Sequence, residues 1–238
     1  MNIIYTYIMN NNIVNNIPNN IPNNIIENTL IYHNNTNANY PEFEILAEKI
    51  RPNIVFDLNG ILIYISHLLD HLEIMKYSTY KNFLLIYKDF DMNIFIIFYR
   101  TYLRELLLEL NNYYDIYIYS SSSKTLTDFF VTCINNLVGI NVFKKVYIKN
   151  GMVPKNLVQM NLDCKNTVIV DIHDVWKNYE KNLIMTNIFR GPHDVGYDTN
   201  MDLLVLKKCL LRIHKLFADN GYDDITKYIY ESVCTVYK

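Results

Sequence analysis

From Arg51 onward the chain alternates short apolar runs with longer stretches whose apolar residues recur at helical spacing. The runs "IVFDL", "FIIFY", "DIYIYSSSS", "VFKKVYI", "NTVIVDIHD" and "NLIMTNIF" read as strands. "TYLRELLLELNNYY" sets Leu103, Leu106, Leu107 and Leu110 on one helical face, and "KTLTDFFVTCINNL" continues the same spacing. "NMDLLVLKKCLLRIHKLFADNG" is a long amphipathic helix stopped by Asn220-Gly221, and a last helix covers about 223–236. Strands that alternate with helices specify a mainly parallel sheet, so the expected fold is α/β, a Rossmann-like three-layer sandwich. Ligands of such sheets collect at the carboxyl ends of the strands. Three of the runs end there on polar residues, Asp57, Ser120 and Asp171. Their convergence on one rim is the strongest functional signal in the chain.

Residues 1–45 differ in texture. "NNIVNNIPNNIPNNIIENT" is a short-period repeat of Asn, Ile and Pro. Asn favours turns and Pro removes backbone donors, so a low-complexity disordered arm is expected, ahead of a domain over 46–238 with a small insertion at about 65–93. A partner-binding or self-associating arm is the alternative, since Asn-rich tracts can pair as β-structure. The chain's 238 residues, half of them apolar, are enough for one sizeable domain and an appendage. A net charge of −2 argues against direct, sequence-independent nucleic-acid binding. The four cysteines are scattered without a CxxC pair, which suits a reducing compartment. No run is long enough to span a bilayer and no secretory leader is evident, so an intracellular protein, cytoplasmic or nuclear and away from membranes, is expected.

Four pieces of the domain resemble the haloacid dehalogenase superfamily, in its branch of carboxy-terminal-domain phosphatases of the FCP/SCP or NLI-interacting-factor type. They are "FDLNGIL", "FYRTYLRELLLELNNYYDIYIYSSSS", "VPKNLVQMNLDCKNTVIVD" and "VIVDIHDVW" followed by "NLI". The closing "YDDITKYI" is also similar to the family's last helix. The resemblance covers Arg51 to Val236 and implies a site. Asp57 stands at the nucleophile. Asn59 stands where the family has its general acid/base Asp. Ser120, with Ser121 a near competitor, stands at the phosphate-binding hydroxyl, and Lys155 and Arg100 at the residues that neutralise phosphate charge. Asp57, Asp171 and Asp174 are the remaining candidates for a weak Mg²⁺ site, because Ile172 occupies the position of the usual ligand.

Each residue type has a chemical reason. A carboxylate nucleophile splits one hard displacement into two easier ones. A dianionic phosphoryl group needs Mg²⁺, Lys and hydroxyl or amide donors to absorb charge. Asn59 cannot shuttle protons, and losing general acid–base help costs about 10²- to 10⁴-fold. The expectation is therefore a phosphatase-like domain, catalytically impaired, that binds phosphorylated or acidic segments of a protein partner. An active Mg²⁺-dependent Ser/Thr protein phosphatase with an Asp57 phosphoenzyme is one rival reading, and a non-catalytic scaffold or import-receptor-like module is another. The AT-rich coding flavour and the drifted motifs also fit the branch member that insect large DNA viruses use in nucleocapsid assembly, which would place the protein in a virion.

Other signals are weaker. His67 and His71 would share a helical face, but no third ligand is evident. His173 lies beside the implied site with a pKa range suited to proton transfer, though a solvent-facing side chain is the simpler reading. Trp176 reads as core packing and the abundant tyrosines single out nothing.

Overall fold

Ile54, Val55 and Phe56 are all fully buried, a run that only a strand covered on both faces allows. The computed structural model describes residues 50–67, 84–88, 94–149, 154–191 and 200–236; the Asn-rich arm lies outside them. The described elements are β1 (Asn53–Phe56), β2 (Ile63–His67), β3 (Leu84–Lys88), β4 (Ile94–Tyr99), α1 (Leu103–Leu110), β5 (Asp115–Ser120), α2 (Lys124–Val138), β6 (Phe143–Ile148), α3 (Leu157–Met160), β7 (Thr167–Asp171), β8 (Leu183–Met185), α4 (Asp202–Asp219) and α5 (Thr226–Val236).

The main sheet has the order β6-β5-β1-β7-β8, and all of its described pairings are parallel. The chain builds outward from β1 to β5 and β6, then returns to the other side of β1 for β7 and β8. The switch therefore falls at β1, where open α/β sheets form a ligand crevice. Alternation along β1 separates two apolar clusters. Ile54 and Phe56 join the larger one, with Leu103, Leu106 and Leu110 of α1, Phe130 and Ile134 of α2, and the apolar stripe of α4. Val55 joins the smaller one, with Tyr117, Tyr119, Ile169, Leu157, Met160 and Trp176. The expected Rossmann-like α/β architecture is present, but the second face is thin: one short helix, α3, and the segment around Trp176 cover it.

One expected strand is placed differently. "FIIFY" forms β4, but β4 lies between β2 and β3 in a separate antiparallel sheet and not in the parallel one. A buried apolar run has the same appearance in either setting. This small sheet falls partly in the stretch expected as an insertion. His67 belongs to β2, not to a helix, and His71 lies outside the described residues. Among the described residues no helix is long and apolar enough to cross a membrane.

Candidate active site

Parallel register sets Phe56 of β1 opposite Val170 of β7, and the Asp57 N–H extends the ladder to the Val170 carbonyl at 3.1 Å. Asp57 and Asp171 thus leave neighbouring strands at the same level, with the strands about 4.8 Å apart. Lys155, from the segment before α3, puts its ammonium between them. Its Nζ is 3.2 Å from Asp57 Oδ1 and 2.7 Å from Asp171 Oδ2. All three side chains are buried: Lys155 is 4% exposed, Asp57 11% and Asp171 1%. Burial pushes the Asp57 carboxyl above its ordinary range; the Lys155 ammonium opposes this, the Asp171 carboxylate adds to it, and the Leu58 N–H again opposes it.

Asp171 has no acceptor capacity left. Its Oδ1 takes the backbone N–H of Ile172 at 2.7 Å and of His173 at 3.1 Å. Its Oδ2 takes the Lys155 ammonium and the Trp176 indole N–H at 2.9 Å. A carboxylate offers about four acceptor sites, and all are used. In this arrangement the oxygens expected to face a metal are engaged by these four donors. Mg²⁺ demands near-octahedral oxygen donors. Ile172 supplies none and packs beside the turn after β1, where a Cβ on Gly60 (φ +83°) would meet Ile172 Cδ1 at 2.9 Å. Asp174 is exposed. Among the described residues no three His, Cys, Asp or Glu side chains are placed to hold a metal. The donor set around Asp57 does not fit Mg²⁺.

The structure uses Asn59 for folding. Its Oδ1 accepts the Ile65 N–H at 3.3 Å, which ties the turn after β1 to β2. Ser120 ends β5 beside β1, 1% exposed, and its Oγ accepts from the Ser122 N–H and the Thr127 hydroxyl, each at 3.1 Å. Two accepted bonds leave the Ser120 hydroxyl its own proton to donate. No described contact joins it to Asp57 or Lys155. Ser121 is exposed one residue beyond.

Arg100, expected at phosphate, is built into the scaffold. It is 2% exposed, and its guanidinium donates to the carbonyls of Ile61 (3.2 Å) and Asn187 (3.4 Å) and to Asp202 Oδ2 (2.6 Å). It also lies over the Phe189 ring, 5.5 Å from the centroid. These contacts clamp the start of α4 to the end of β4.

Sequence reasoning missed several residues that hold Lys155. The ammonium lies 5.6 Å from the Trp176 ring and 5.8 Å from that of Tyr119. Three phenols pin the segment that carries it: Tyr119 donates to Gln159, Tyr147 to the Met160 carbonyl and Tyr179 to Asn156. With 21 tyrosines in the chain, composition gave no reason to select these. His173 is exposed, as the simpler reading had it.

A sequence profile of the NLI interacting factor-like phosphatase family matches residues 52–220, which include Asp57, Ser120, Lys155 and Asp171. The chain belongs to that family. Among solved structures its fold is similar to Fcp1, an essential RNA polymerase II CTD phosphatase (TM-score 0.61, 15% identity, covering 75% of this chain and 69% of that one). It is also similar to a substituted form of fission yeast RNA polymerase II CTD phosphatase Fcp1 bound to beryllium fluoride (TM-score 0.60, 14% identity, 75% and 70% covered). At these identities the likeness shows the fold alone. A search of curated proteins finds no match. The expected superfamily and branch are therefore established, and the chain carries an FCP1-like phosphatase domain.

Proposed function

We propose that this domain binds a phosphorylated segment of a protein partner at the Asp57–Lys155–Asp171 hollow and is catalytically impaired. One observation supports the reading above the others: a single buried ammonium bridges the carboxylates of two adjacent strand ends at the sheet's switch point. The nucleophile position and its cation are retained, while the acid/base position is an amide engaged with Ile65. From a typical turnover of about 10 s⁻¹, loss of the proton shuttle leaves about 10⁻¹ to 10⁻³ s⁻¹.

Charge separates phosphorylated from merely acidic partners. Arg100 is committed elsewhere, so one ammonium faces two carboxylates. An acidic segment finds no net attraction there. A phosphoryl group brings tetrahedral acceptors suited to Lys155 and the Ser120 hydroxyl, and it enters most easily with a proton. The elevated Asp57 carboxyl takes up that proton, so binding strengthens as pH falls through the raised Asp57 value.

The test pairs binding with turnover. Fluorescence anisotropy with a degenerate phosphoserine peptide pool and its unphosphorylated counterpart is read at pH 6 and pH 8, alongside hydrolysis of a generic phosphomonoester with and without Mg²⁺. Preferential binding of the phosphorylated pool, weakened at least about tenfold in Lys155→Met, is the expected result. Equal binding of the two pools, or turnover near 10 s⁻¹, refutes the proposal.

A further inference from the structure

We infer that Trp176 is a positioning residue for the anion hollow, acting through Asp171 on the Lys155 ammonium; the inference rests on the phosphoryl-binding reading above. Trp176 is fully buried in the smaller apolar cluster. Its indole N–H, however, donates to Asp171 Oδ2, the same oxygen that holds Lys155. The two backbone donors to Oδ1 complete the set, so the carboxylate is fixed from four sides and cannot turn. Tyr119 meets the indole edge-on, with ring centroids 5.3 Å apart, and adds to the packing that holds the ring.

The consequence for Lys155 lies in the inequality of its two contacts. The 2.7 Å contact to Asp171 is anchored by the Trp176 bond, and the 3.2 Å contact to Asp57 is the looser one. An incoming phosphoryl oxygen therefore competes with Asp57 for the ammonium, while Asp171 keeps it in place. Without the indole N–H, Asp171 Oδ2 has one donor fewer and the ammonium loses the fixed point that aims it across the hollow.

Trp176 is the chain's one tryptophan, so a single indole resonance reports on this bond. Orthophosphate is titrated into the full chain, with calorimetry and the indole N–H cross-peak read in parallel, and Trp176→Phe is compared by calorimetry. The expected result is a saturable indole shift that tracks the calorimetric curve and is lost in Lys155→Met. Trp176→Phe should bind about tenfold more weakly, the loss of about 1.4 kcal/mol. If heat of binding is present but the indole peak stays still and Trp176→Phe, where folded, binds as the parent does, the positioning role is wrong and the phosphoryl reading stands. Should the parent show neither heat nor shift, the phosphoryl reading fails and takes this inference with it. The indole measurement needs no variant, so a poorly folded Trp176→Phe does not shield the proposal.

Discussion

Replacing Lys155 by Met removes the ammonium and keeps most of the side chain's volume. What remains is two carboxylates leaving adjacent strands, 11% and 1% exposed, with no cation between them. Removing one partner of a buried ion pair costs about 3–5 kcal/mol, because the surviving charge is left uncompensated. Here the surviving charges also repel each other, so the upper half of that range is expected. With a urea dependence of about 2 kcal/mol per molar, the unfolding midpoint should fall by about 2 M at pH 7. The loss must depend on pH. Lys155 holds the Asp57 carboxyl down against burial, so its removal raises that carboxyl further. A group that binds its proton more tightly in the folded state destabilises it as pH rises through the folded value. The deficit should therefore shrink toward pH 5 and grow toward pH 8. Adding Asp57→Asn to Lys155→Met removes one stranded charge and should recover about 1–2 kcal/mol. A midpoint shift under about 0.5 M, or a deficit equal at pH 5 and pH 8, would show that Lys155 is not compensating two buried carboxylates.

Asp57→Asn alone should stabilise the folded protein at pH 8 and lose that advantage near pH 4, read by thermal unfolding across pH, because burial outweighs the Lys155 attraction in setting the Asp57 carboxyl above its ordinary range; a pH-independent difference counts against it. The double variant Asn59→Asp, Ile172→Asp restores a proton shuttle and an oxygen donor. Hydrolysis of a generic phosphomonoester with Mg²⁺ should then rise at least about 100-fold, and a folded but inert double variant would mean that the impairment lies elsewhere. Arg100→Met should cost about 1–3 kcal/mol, mainly through the buried Ile61 carbonyl left without its donor and the lost hold on Asp202. It should leave phosphopeptide affinity within about twofold; a tenfold loss in a folded variant would return Arg100 to the site.

The parts of the fold written locally were legible. β1, β5 and β7 are short apolar runs that stop on a polar residue, and the helices α1, α2 and α4 keep their period over two or more turns. Lys155 and Asp171 stood in the pieces that carry the resemblance, but that their side chains form an ion pair at 2.7 Å is seen only in the structure. What the sequence hid depends on distant partners. Arg100 follows a strand as a phosphate ligand would, but the residue that captures it, Asp202, lies 102 positions away. β4 has the apolar run of a buried parallel strand, and only its neighbours β2 and β3 make it antiparallel. Trp176 was read by its bulk, while its single polar atom decides what it does.

The two departures from the family pattern have a common structural outcome. At Asn59 an acid that would have to stay mobile for proton transfer is replaced by an amide whose oxygen accepts the Ile65 N–H. At Ile172 a metal-binding oxygen is replaced by an alkyl group against the Gly60 turn. Both positions flank the turn after β1, and both changes replace a group that must face the ligand with one that closes the turn. The cage around the ammonium holds Asp171 with all its donors, Trp176, and the three phenols, Tyr119, Tyr147 and Tyr179, that fix the Lys155 segment. A site that had lost every use would have no reason to keep a buried ammonium between two carboxylates, since well-packed apolar residues in their place are often as stable or more so by about 1–4 kcal/mol. The Lys155 cage fits the binding proposed above, and the engaged Asn59 amide fits the slow turnover proposed with it.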